Sequence, residues 1–301
     1  MFSPPATTGP GRRARRAFLA DGTLLLSAGL ARGAALTPAA GLSFGLVTDV
    51  HYADKDPAGT RHYRESLPKL EEAAERIRAA APAFVVELGD MVDAADTVDT
   101  ELDWLRTIDR VFATACPDRH YVLGNHCVDT LTKAEFLGTV GQASSSFSFD
   151  RGGIHFVVLD ACFRADGVPY GRRNSVWTDA NVPPEQLEWL AADLAAADGP
   201  TIVFAHQRLD VATDHGVRGA SRVRRVLEDS RRVLAVFQGH SHANDLTTIG
   251  DIHYCTLVAM VEGSGAASSG WTLAHVAPDG TLRVEGFRRQ ASHDWPAPGS
   301  R

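Results

Sequence analysis

The chain has 301 residues and a formal net charge of −7, and 44% of its residues are hydrophobic. These values are typical of a globular protein and exclude a chain that is mainly disordered. Five arginines and one aspartate lie in the first forty residues, so the rest of the chain is more acidic than the whole. An acidic body attracts polyanions poorly, and we therefore expect no nucleic-acid polymer as a partner.

Residues 1–40 have the features of a twin-arginine export signal. Arg15 and Arg16 form the arginine pair, and a weakly apolar run follows from Thr23 to Ala31. A membrane-spanning helix needs about twenty apolar residues, so we expect no stable membrane insertion, with a retained tether as the alternative. The pattern predicts transport by the twin-arginine export machinery to a periplasmic or extracellular location.

The main domain is predicted to run from residue 41 to residue 290, with a short tail at 291–301. Short β runs alternate with helical patterns, which is typical of βαβ units. The run Leu42–Thr48 predicts the first strand. Residues at spacings of three and four predict the buried face of the first helix: Leu67, Leu70, Ala74, Ile77 and Ala81. Three further elements are predicted in chain order: a strand at 84–88, a helix at 102–115 and a strand at 121–123.

The second half of the chain contains a predicted hairpin, one helix, two apolar strands and a β-rich tail. The hairpin strands, 146–150 and 154–159, flank an Arg-Gly-Gly turn. The remaining predictions are a helix from Pro183, strands at 202–204 and 234–237, and an antiparallel meander at 252–287. No repeat or linker divides the body, which favours a single α/β domain with two sheets.

The segment 162–183 is too long and too rich in Arg and aromatic residues for a simple connection between a strand and a helix. We predict a lid over the active site, in which Arg172 and Arg173 offset the charge of the substrate and Tyr170 or Trp177 stacks on a base or sugar. The alternative is a surface loop that covers the edge of a sheet.

Four cysteines are too few and too scattered to form a disulfide framework or a CxxC metal site. They are Cys116, Cys127, Cys162 and Cys255. If all were bonded, three pairings would be possible. Twin-arginine substrates commonly fold before transport, so we expect reduced, buried thiols, with one disulfide as the alternative.

Side chains of metal-ligand type follow five of the predicted strands. Asp49 and His51 follow the first strand, and the other groups are Gly89-Asp90, Gly124-Asn125-His126, His206 and Gly239-His240-Ser241-His242. In an open α/β sheet, ligands bind beyond the carboxyl ends of the strands, so five separate segments can converge there. Each group alone is a common loop sequence. Their joint occurrence at strand ends indicates a metal site.

The number of candidate ligands indicates two metal ions. Asp49, His51 and His242 suit one ion, and Asn125, His206 and His240 suit the other. Asp90 can bridge the ions because a carboxylate has two oxygens. A hydroxide bridging two such ions would attack phosphorus in line with the leaving group. A set without thiolates suits manganese, iron or zinc.

His126 is adjacent to a predicted ligand and is therefore expected to face the substrate instead of the same ion. A protonated imidazole at this position would stabilise charge on the phosphoryl oxygens or protonate the leaving oxygen. The alternative is a histidine that only orients the site.

The order DxH, GD, GNH, single His and GHxH, from Asp49 to His242, resembles the pattern of the calcineurin-like metallophosphoesterases. The resemblance implies a four-layer α/β/β/α fold, in which two facing mixed sheets have helices outside, with the seven ligands named above and a catalytic His126. One position departs from the family pattern: Cys127 stands where an acidic residue commonly follows GNH. That difference leaves the group that supports His126 unidentified.

A second, shorter resemblance is to the manganese-dependent ADP-ribose/CDP-alcohol diphosphatases. The segments Asp49–Asp54 and Gly59–Ser66 carry it. The resemblance implies that Arg61, Tyr63 and Arg64 lie near a small phosphorylated substrate, such as a nucleoside diphosphate derivative. The alternative is a solvated basic helix start.

Two further functions stay open on the sequence alone. The same fold supports general phosphomonoesterases and phosphodiesterases, because the fold does not determine the substrate. A non-catalytic metal-binding or phosphate-binding protein is the alternative from another class, but it predicts broken ligands. All seven ligand positions hold metal-ligand residue types.

Overall fold

The computed structural model describes residues 41–297. The predicted export signal at 1–40 and the last four residues of the predicted tail lie outside this range. The described residues form twelve β-strands in two six-stranded sheets and five α-helices.

The first sheet combines three parallel strands with three antiparallel ones. In chain order its strands are β1 (Leu42–Val47), β2 (Phe84–Glu87), β3 (Arg119–Tyr121), β10 (Gly270–Val276), β11 (Leu282–Arg288) and β12 (His293–Trp295). The spatial order is β12-β11-β10-β1-β2-β3, in which β1, β2 and β3 run parallel. The strands β1, β10, β11 and β12 pair antiparallel in that order.

The second sheet has the same size and is also mixed. Its strands are β4 (Phe147–Arg151), β5 (Ile154–Val158), β6 (Thr201–Phe204), β7 (Val233–Gln238), β8 (Asp245–Ile249) and β9 (Ile252–Thr256). The spatial order is β4-β5-β6-β7-β9-β8. The central strands β5, β6, β7 and β9 run parallel, so their carboxyl ends lie at one edge of the sheet.

Five α-helices flank the sheets. They are α1 (Ser66–Ala80), α2 (Val98–Phe112), α3 (Lys133–Val140), α4 (Pro184–Ala196) and α5 (Ala220–Ser230). Local sequence explains several helix starts. Thr132 and Glu135 form a capping box before α3, and Pro184 occupies the first turn of α4, where its missing N–H costs nothing.

Three apolar cores separate four layers. The core between the sheets contains aromatic side chains from both, and Phe44 of β1 stacks on Phe84 of β2 with ring centroids 5.1 Å apart. Each such fully buried ring stabilises the fold by roughly 2 kcal/mol. The other two cores lie between the first sheet and α1–α3 and between the second sheet and α4–α5. The predicted arrangement of two mixed sheets with helices outside is confirmed.

Four points of the sequence analysis need correction. The prediction of one antiparallel meander at 252–287 is wrong. Strand β9 pairs parallel with β7 in the second sheet, whereas β10 and β11 belong to the first sheet. Alternation of apolar residues identifies strands but not the sheet that each strand joins. Ala81 ends α1 in a left-handed conformation instead of extending its buried face. Helix α5 was not predicted, and the first sheet extends past residue 290 through β12.

The described residues also bear on two smaller expectations. All four cysteines are buried and free, as expected. Within residues 41–297, no helix combines the length and the apolar character needed to cross a membrane.

Candidate active site

The carboxyl ends of five strands bring the predicted ligands together. Asp49 and His51 follow β1, Asp90 follows β2 and Asn125 follows β3 in the first sheet. His206 follows β6 in the second sheet, and His240 and His242 follow β7. Because the two sheets face each other, ligands from both reach one buried cluster.

The backbone is strained where it presents these side chains. Five of the ligand residues have positive φ angles: Asp49 (50°), His51 (44°), Asp90 (61°), His240 (70°) and His242 (60°). This left-handed conformation costs roughly 1 kcal/mol or more for a residue with a Cβ atom. Such strain persists only where the surrounding structure enforces it, and it is concentrated at functional sites.

Glycines beside the ligands allow the strand ends to approach closely. A Cβ atom at Gly124 would overlap the carboxylate and the backbone nitrogen of Asp90. A Cβ atom at Gly239 would overlap Thr48 and lie 2.6 Å from Asp49 Oδ2, and one at Gly89 would overlap the His206 ring. The glycines in the GD, GNH and GHxH motifs are therefore required by close packing.

The first ligand cluster contains Asp49, His51 and His242. His242 Nε2 lies 3.3 Å from Asp49 Oδ1 and 3.2 Å from His51 Nε2. The other carboxylate oxygen, Asp49 Oδ2, accepts hydrogen bonds from Thr48 Oγ1 at 2.7 Å and from the His240 backbone N–H at 3.0 Å. These bonds fix the carboxylate so that Oδ1 faces the two imidazoles.

The second ligand cluster contains Asp90, His206 and His240. His206 Nε2 lies 3.1 Å from Asp90 Oδ2 and 3.2 Å from His240 Nδ1. Asp90 Oδ2 is also 3.6 Å from His51 Nε2 of the first cluster, whereas Oδ1 accepts the His126 backbone N–H at 2.7 Å. A single oxygen of Asp90 therefore faces both clusters. The sequence analysis had instead expected one carboxylate oxygen to face each ion.

The chemistry of these atoms fits metal ions. Asp49 Oδ1 and Asn125 Oδ1 are buried and have no hydrogen-bond partner in the described part of the chain. Buried polar atoms without partners are costly, and a cation would satisfy them. In each cluster, two imidazole nitrogens also lie within hydrogen-bond distance of each other. Coordination of both nitrogens to the same metal ion would explain this arrangement.

The electrostatic setting favours anionic carboxylates. Burial alone would raise the pKa of Asp49, but His242 and His206 outweigh it and hold that pKa well below its usual range. Burial likewise opposes ionisation of Asp90, yet His206 and His126 lower its pKa strongly. In the absence of a metal, Asp90 and Asp49 overcome the effect of burial and raise the pKa of His206 to about 9. Burial and the neighbouring His206 lower the pKa of His240 to about 3.

Hydrogen bonds from outside the clusters orient two of the imidazoles. His206 Nδ1 donates to the Leu88 carbonyl at 2.9 Å, which leaves Nε2 for the cluster. His242 Nδ1 is hydrogen-bonded to Glu262 Oε1 at 2.6 Å. A carboxylate behind a metal-bound imidazole fixes its tautomer and raises its basicity. Sequence reasoning missed Glu262, because it lies in the segment after β9, which carries no ligand motif.

Asp93 supplies the carboxylate that supports His126. Asp93 Oδ1 is hydrogen-bonded to His126 Nδ1, and Asp93 Oδ2 lies 2.6 Å from Lys55 Nζ. In the third group of ligand-type atoms, Asp93 and His126 are hydrogen-bonded to each other, and His51 Nδ1 lies 3.8 Å from Asp93 Oδ1. Cys127 is fully buried and does not replace the missing acidic residue. The spacing Gly89-Asp90-x-x-Asp93 was the signal available in the sequence.

A cleft of about 270 Å³ opens over the clusters. It is lined by Arg61, Asp90, Asn125, His126, Trp177, His215, His240 and His242. Of the residues predicted to contact substrate, Arg61, His126 and Trp177 line this cleft. Tyr63 is buried beneath Lys55, and Arg64 is exposed and paired with Asp54 and Asp56. His215 was not predicted as a cleft residue.

Of the residues of the segment 162–183 that were predicted to contact substrate, Trp177 lines the cleft, whereas Tyr170, Arg172 and Arg173 do not. Tyr170 is 2% exposed, packs in the core beside α3, and donates a hydrogen bond to the Val176 carbonyl at 3.2 Å. Arg172 donates to the Thr130 carbonyl and pairs with Glu135. Arg173 donates to the Ala95 carbonyl at 2.6 Å. In this conformation, Tyr170, Arg172 and Arg173 hold the segment in place.

Comparison with known proteins gives consistent matches. Residues 42–244 match the family model of the calcineurin-like phosphoesterases. A manganese-dependent ADP-ribose/CDP-alcohol diphosphatase from Arabidopsis thaliana is 30% identical, with 84% of this chain and 96% of that protein covered. The protein of the same name from Danio rerio is 26% identical, with 73% of this chain and 88% of that protein covered.

A solved structure shows the same fold. A dimetal phosphatase from Danio rerio matches with a TM-score of 0.73 at 22% sequence identity. The match covers 86% of this chain and 99% of that chain.

Proposed function

Because the chain belongs to the calcineurin-like phosphoesterase family and is a metal-dependent hydrolase of phosphoester or phosphoanhydride bonds, we propose that it uses two metal ions to cleave the diphosphate group of a nucleoside diphosphate derivative. One observation carries this proposal: two ligand clusters face each other across Asp90 Oδ2, beneath a cleft that also holds Arg61 and His126.

The two clusters define which residues would hold the metal ions. Asp49, His51 and His242 would hold one ion, and Asn125, His206 and His240 the other, with Asp90 shared between them. Two such ions supply Lewis acidity and lower the pKa of water, which makes hydrolysis at phosphorus possible near neutral pH. Imidazole, amide and carboxylate ligands suit manganese, iron or zinc. The names of both relatives support manganese as the first metal to test.

His126 is proposed as the proton donor to the leaving oxygen. Its Nδ1 is held by Asp93, so Nε2 is the nitrogen available in the cleft. Burial would lower the pKa of His126, but Asp90 and Asp93 raise it above its usual value. The imidazolium form is therefore favoured, as a general acid requires.

Arg61 is proposed to offset the charge of the diphosphate. It lines the cleft together with the ligand histidines, and its guanidinium group is suited to bidentate contact with phosphate oxygens. The relatives named as ADP-ribose/CDP-alcohol diphosphatases support a nucleoside diphosphate derivative as the substrate class.

The proposal is tested with purified protein loaded with Mn²⁺. ADP-ribose, CDP-choline and CDP-glycerol are compared with a nucleoside monophosphate, a cyclic nucleotide and an aryl phosphate. We expect kcat/KM to be highest for the diphosphate derivatives. Higher activity on monoesters or cyclic diesters would show a general phosphomonoesterase or phosphodiesterase. Metal binding without turnover of any compound would favour the non-catalytic alternative.

A His126→Ala variant tests the assignment of the proton donor. It should retain the wild-type metal content while kcat falls by about 10²–10⁴-fold. Elemental analysis and steady-state kinetics check both values. Loss of metal from His126→Ala, or unchanged turnover of a substrate with a poor leaving group, would contradict the role.

We also propose that the protein acts outside the cytoplasm after twin-arginine export. The support is the Arg15-Arg16 pair and the apolar run after it. Cell fractionation of the wild type and of a variant with both arginines changed to lysine tests this location. Equal export of the two would contradict it.

A further inference from the structure

Trp177 forms a wall between two cavities at the active site. On one side lies the cleft above the ligand clusters. On the other lies a second cavity of about 290 Å³, lined by Asn125, His126, Asp129, Ser175, Val176 and Trp177. The Trp177 side chain is 43% exposed, and its ring lies 5.3 Å from His215 and 5.6 Å from His240, measured between centroids. Contacts with these two histidines set the position of the ring.

The two cavities differ in charge. The cleft over the clusters is lined by Arg61 and by the imidazoles of His126, His215, His240 and His242. The second cavity has no Lys or Arg side chain in its lining, and Asp129 is its acidic group. Among residues 41–297, no hydrogen bond or ion pair engages the Asp129 carboxylate, whereas its backbone carbonyl accepts from Arg173 N–H. The cleft is also lined by the Asp90 carboxylate, so what distinguishes the second cavity is an acidic group beside an indole ring without a Lys or Arg in the lining.

His126 and Asn125 line both cavities. As the proposed donor to the leaving oxygen, His126 lies beside the bridging oxygen of the P–O–P bond that breaks, so the leaving group begins there with its own phosphate. A leaving group that extends away from the clusters past His126 enters the second cavity. The chemistry of that cavity therefore bears on which leaving group the protein accepts.

We propose that the cavity formed by Asp129, Ser175, Val176 and Trp177, here called the ammonium pocket, binds the cationic end of a phosphorylated amino-alcohol leaving group, such as phosphocholine. This inference rests on the proposed function and specifies its substrate class as nucleoside diphosphate esters of cationic alcohols, such as choline. An ammonium group is attracted by the face of an indole ring and by a nearby carboxylate. A neutral sugar or glycerol gains neither contact. The substrate would thus lie with its diphosphate in the cleft beside Arg61 and with its ammonium group beside Asp129.

The experiment compares CDP-choline with CDP-glycerol, which share the nucleotide and differ in the charge of the alcohol. The variants are Asp129→Asn and Trp177→Leu. Asp166→Asn is the matched control, because Asp166 lies in the same segment, is exposed, and pairs with Arg164 away from both cavities. We expect Asp129→Asn to lower kcat/KM for CDP-choline by about tenfold and to change that for CDP-glycerol by less than about twofold. Trp177 also lines the cleft over the clusters, so Trp177→Leu should lower kcat/KM for both substrates, and for CDP-choline several-fold more than for CDP-glycerol. The control should match the wild type on both substrates.

A binding measurement keeps the ammonium pocket testable apart from turnover. Calorimetric titration of the Mn²⁺-loaded protein with phosphocholine and with glycerol phosphate should show tighter binding of phosphocholine. Asp129→Asn should remove that preference, and Trp177→Leu repeats the test if Asp129→Asn does not fold. Equal losses on CDP-choline and CDP-glycerol, or equal binding of the two phosphates, would overturn the pocket while the diphosphatase activity stands. Failure of the wild type to hydrolyse either ester would instead overturn the proposed function, and the titration would still decide whether the pocket prefers a cation.

Discussion

The ligand clusters and the segment 162–183 are both rich in polar residues, but those residues serve different purposes. In the clusters, the predicted ligand atoms Asp49 Oδ1 and Asn125 Oδ1 are buried without a hydrogen-bond partner in the described part of the chain. In the segment, Arg172 and Arg173 donate to the Thr130 and Ala95 carbonyls. The cluster atoms are therefore available to a ligand, whereas the two arginines are hydrogen-bonded to the protein and hold the backbone of the segment in place.

Backbone strain does not distinguish the two regions. Arg172 and Arg173 have positive φ angles of 54° and 58°, similar to those of the metal-ligand residues. What differs is whether the polar atoms that this backbone presents have partners. Unsatisfied buried atoms indicate a ligand, while hydrogen-bonded arginines indicate a structural role. The following changes test that distinction.

Asp90→Ala should have the largest effect, because a single oxygen of Asp90 faces both clusters. We expect both metal occupancies to fall together and kcat/KM to fall by more than about 100-fold. Elemental analysis and kinetics check this, with the exposed Asp166→Ala as the control. Full loading with two ions in Asp90→Ala would contradict the shared position.

Variants of Tyr170 and Trp177 should show that one residue of the segment 162–183 contributes to the free energy of unfolding and the other to substrate binding. Tyr170→Ala removes a buried ring and should lower the free energy of unfolding by about 3 kcal/mol, with little change in KM for CDP-glycerol. Trp177→Leu should leave that free energy close to wild type. Arg172→Ala should likewise leave KM unchanged, because its partners are protein groups. A large rise in KM in Tyr170→Ala or Arg172→Ala would restore the substrate contacts predicted from the sequence.

Two glycines test whether the close approach at the clusters is required. A Cβ atom at Gly124 overlaps Asp90, whereas one at Gly138, within α3, meets no atom within 4 Å. Gly124→Ala should lower the free energy of unfolding by about 1–3 kcal/mol and reduce activity. Gly138→Ala should raise stability by about 0.5–1 kcal/mol and leave activity unchanged. Urea denaturation measures both, and equal effects would show that the strand-end glycine is not special.

His155 lies far from the clusters, and both of its ring nitrogens have hydrogen-bond partners. Its Nδ1 and Nε2 are each 2.9 Å from a carboxylate oxygen, of Asp150 and Asp193 respectively. Burial would lower the pKa of His155, but Asp193 and Asp150 raise it above the ordinary value of 6.5. Because the folded-state pKa is the higher one, its stabilising effect is complete below about pH 6.5 and is lost as the pH rises through the folded-state pKa.

The pH dependence of unfolding tests this cluster. Relative to His155→Gln, the wild type should lose thermal stability between pH 6 and pH 9 by a small amount, while the metal content of both proteins stays equal. Parallel pH profiles for the wild type and His155→Gln would show that the ion pairs do not contribute.

The sequence by itself predicted the two-sheet fold, which the structure confirms, and the seven candidate ligands and His126, which the structure brings together at one site. Each ligand motif is local, because a short apolar strand, a small residue and a polar side chain lie within a few positions of one another. The carboxyl ends of parallel strands necessarily meet at one edge of a sheet. Motif order along the chain was therefore enough to predict the shared site.

Only the tertiary structure decided what depends on contacts between distant segments. Glu262 reaches His242 because the chain crosses between the sheets after β9, and the period-two pattern of a strand cannot show that crossing. Arg172 and Arg173 donate hydrogen bonds to protein carbonyls instead of lining the cleft. Of the two aromatic residues predicted to stack on a base or sugar, Trp177 lines the cleft and Tyr170 does not. Composition predicts which groups can bind a ligand, but packing determines which of them are still free to do so.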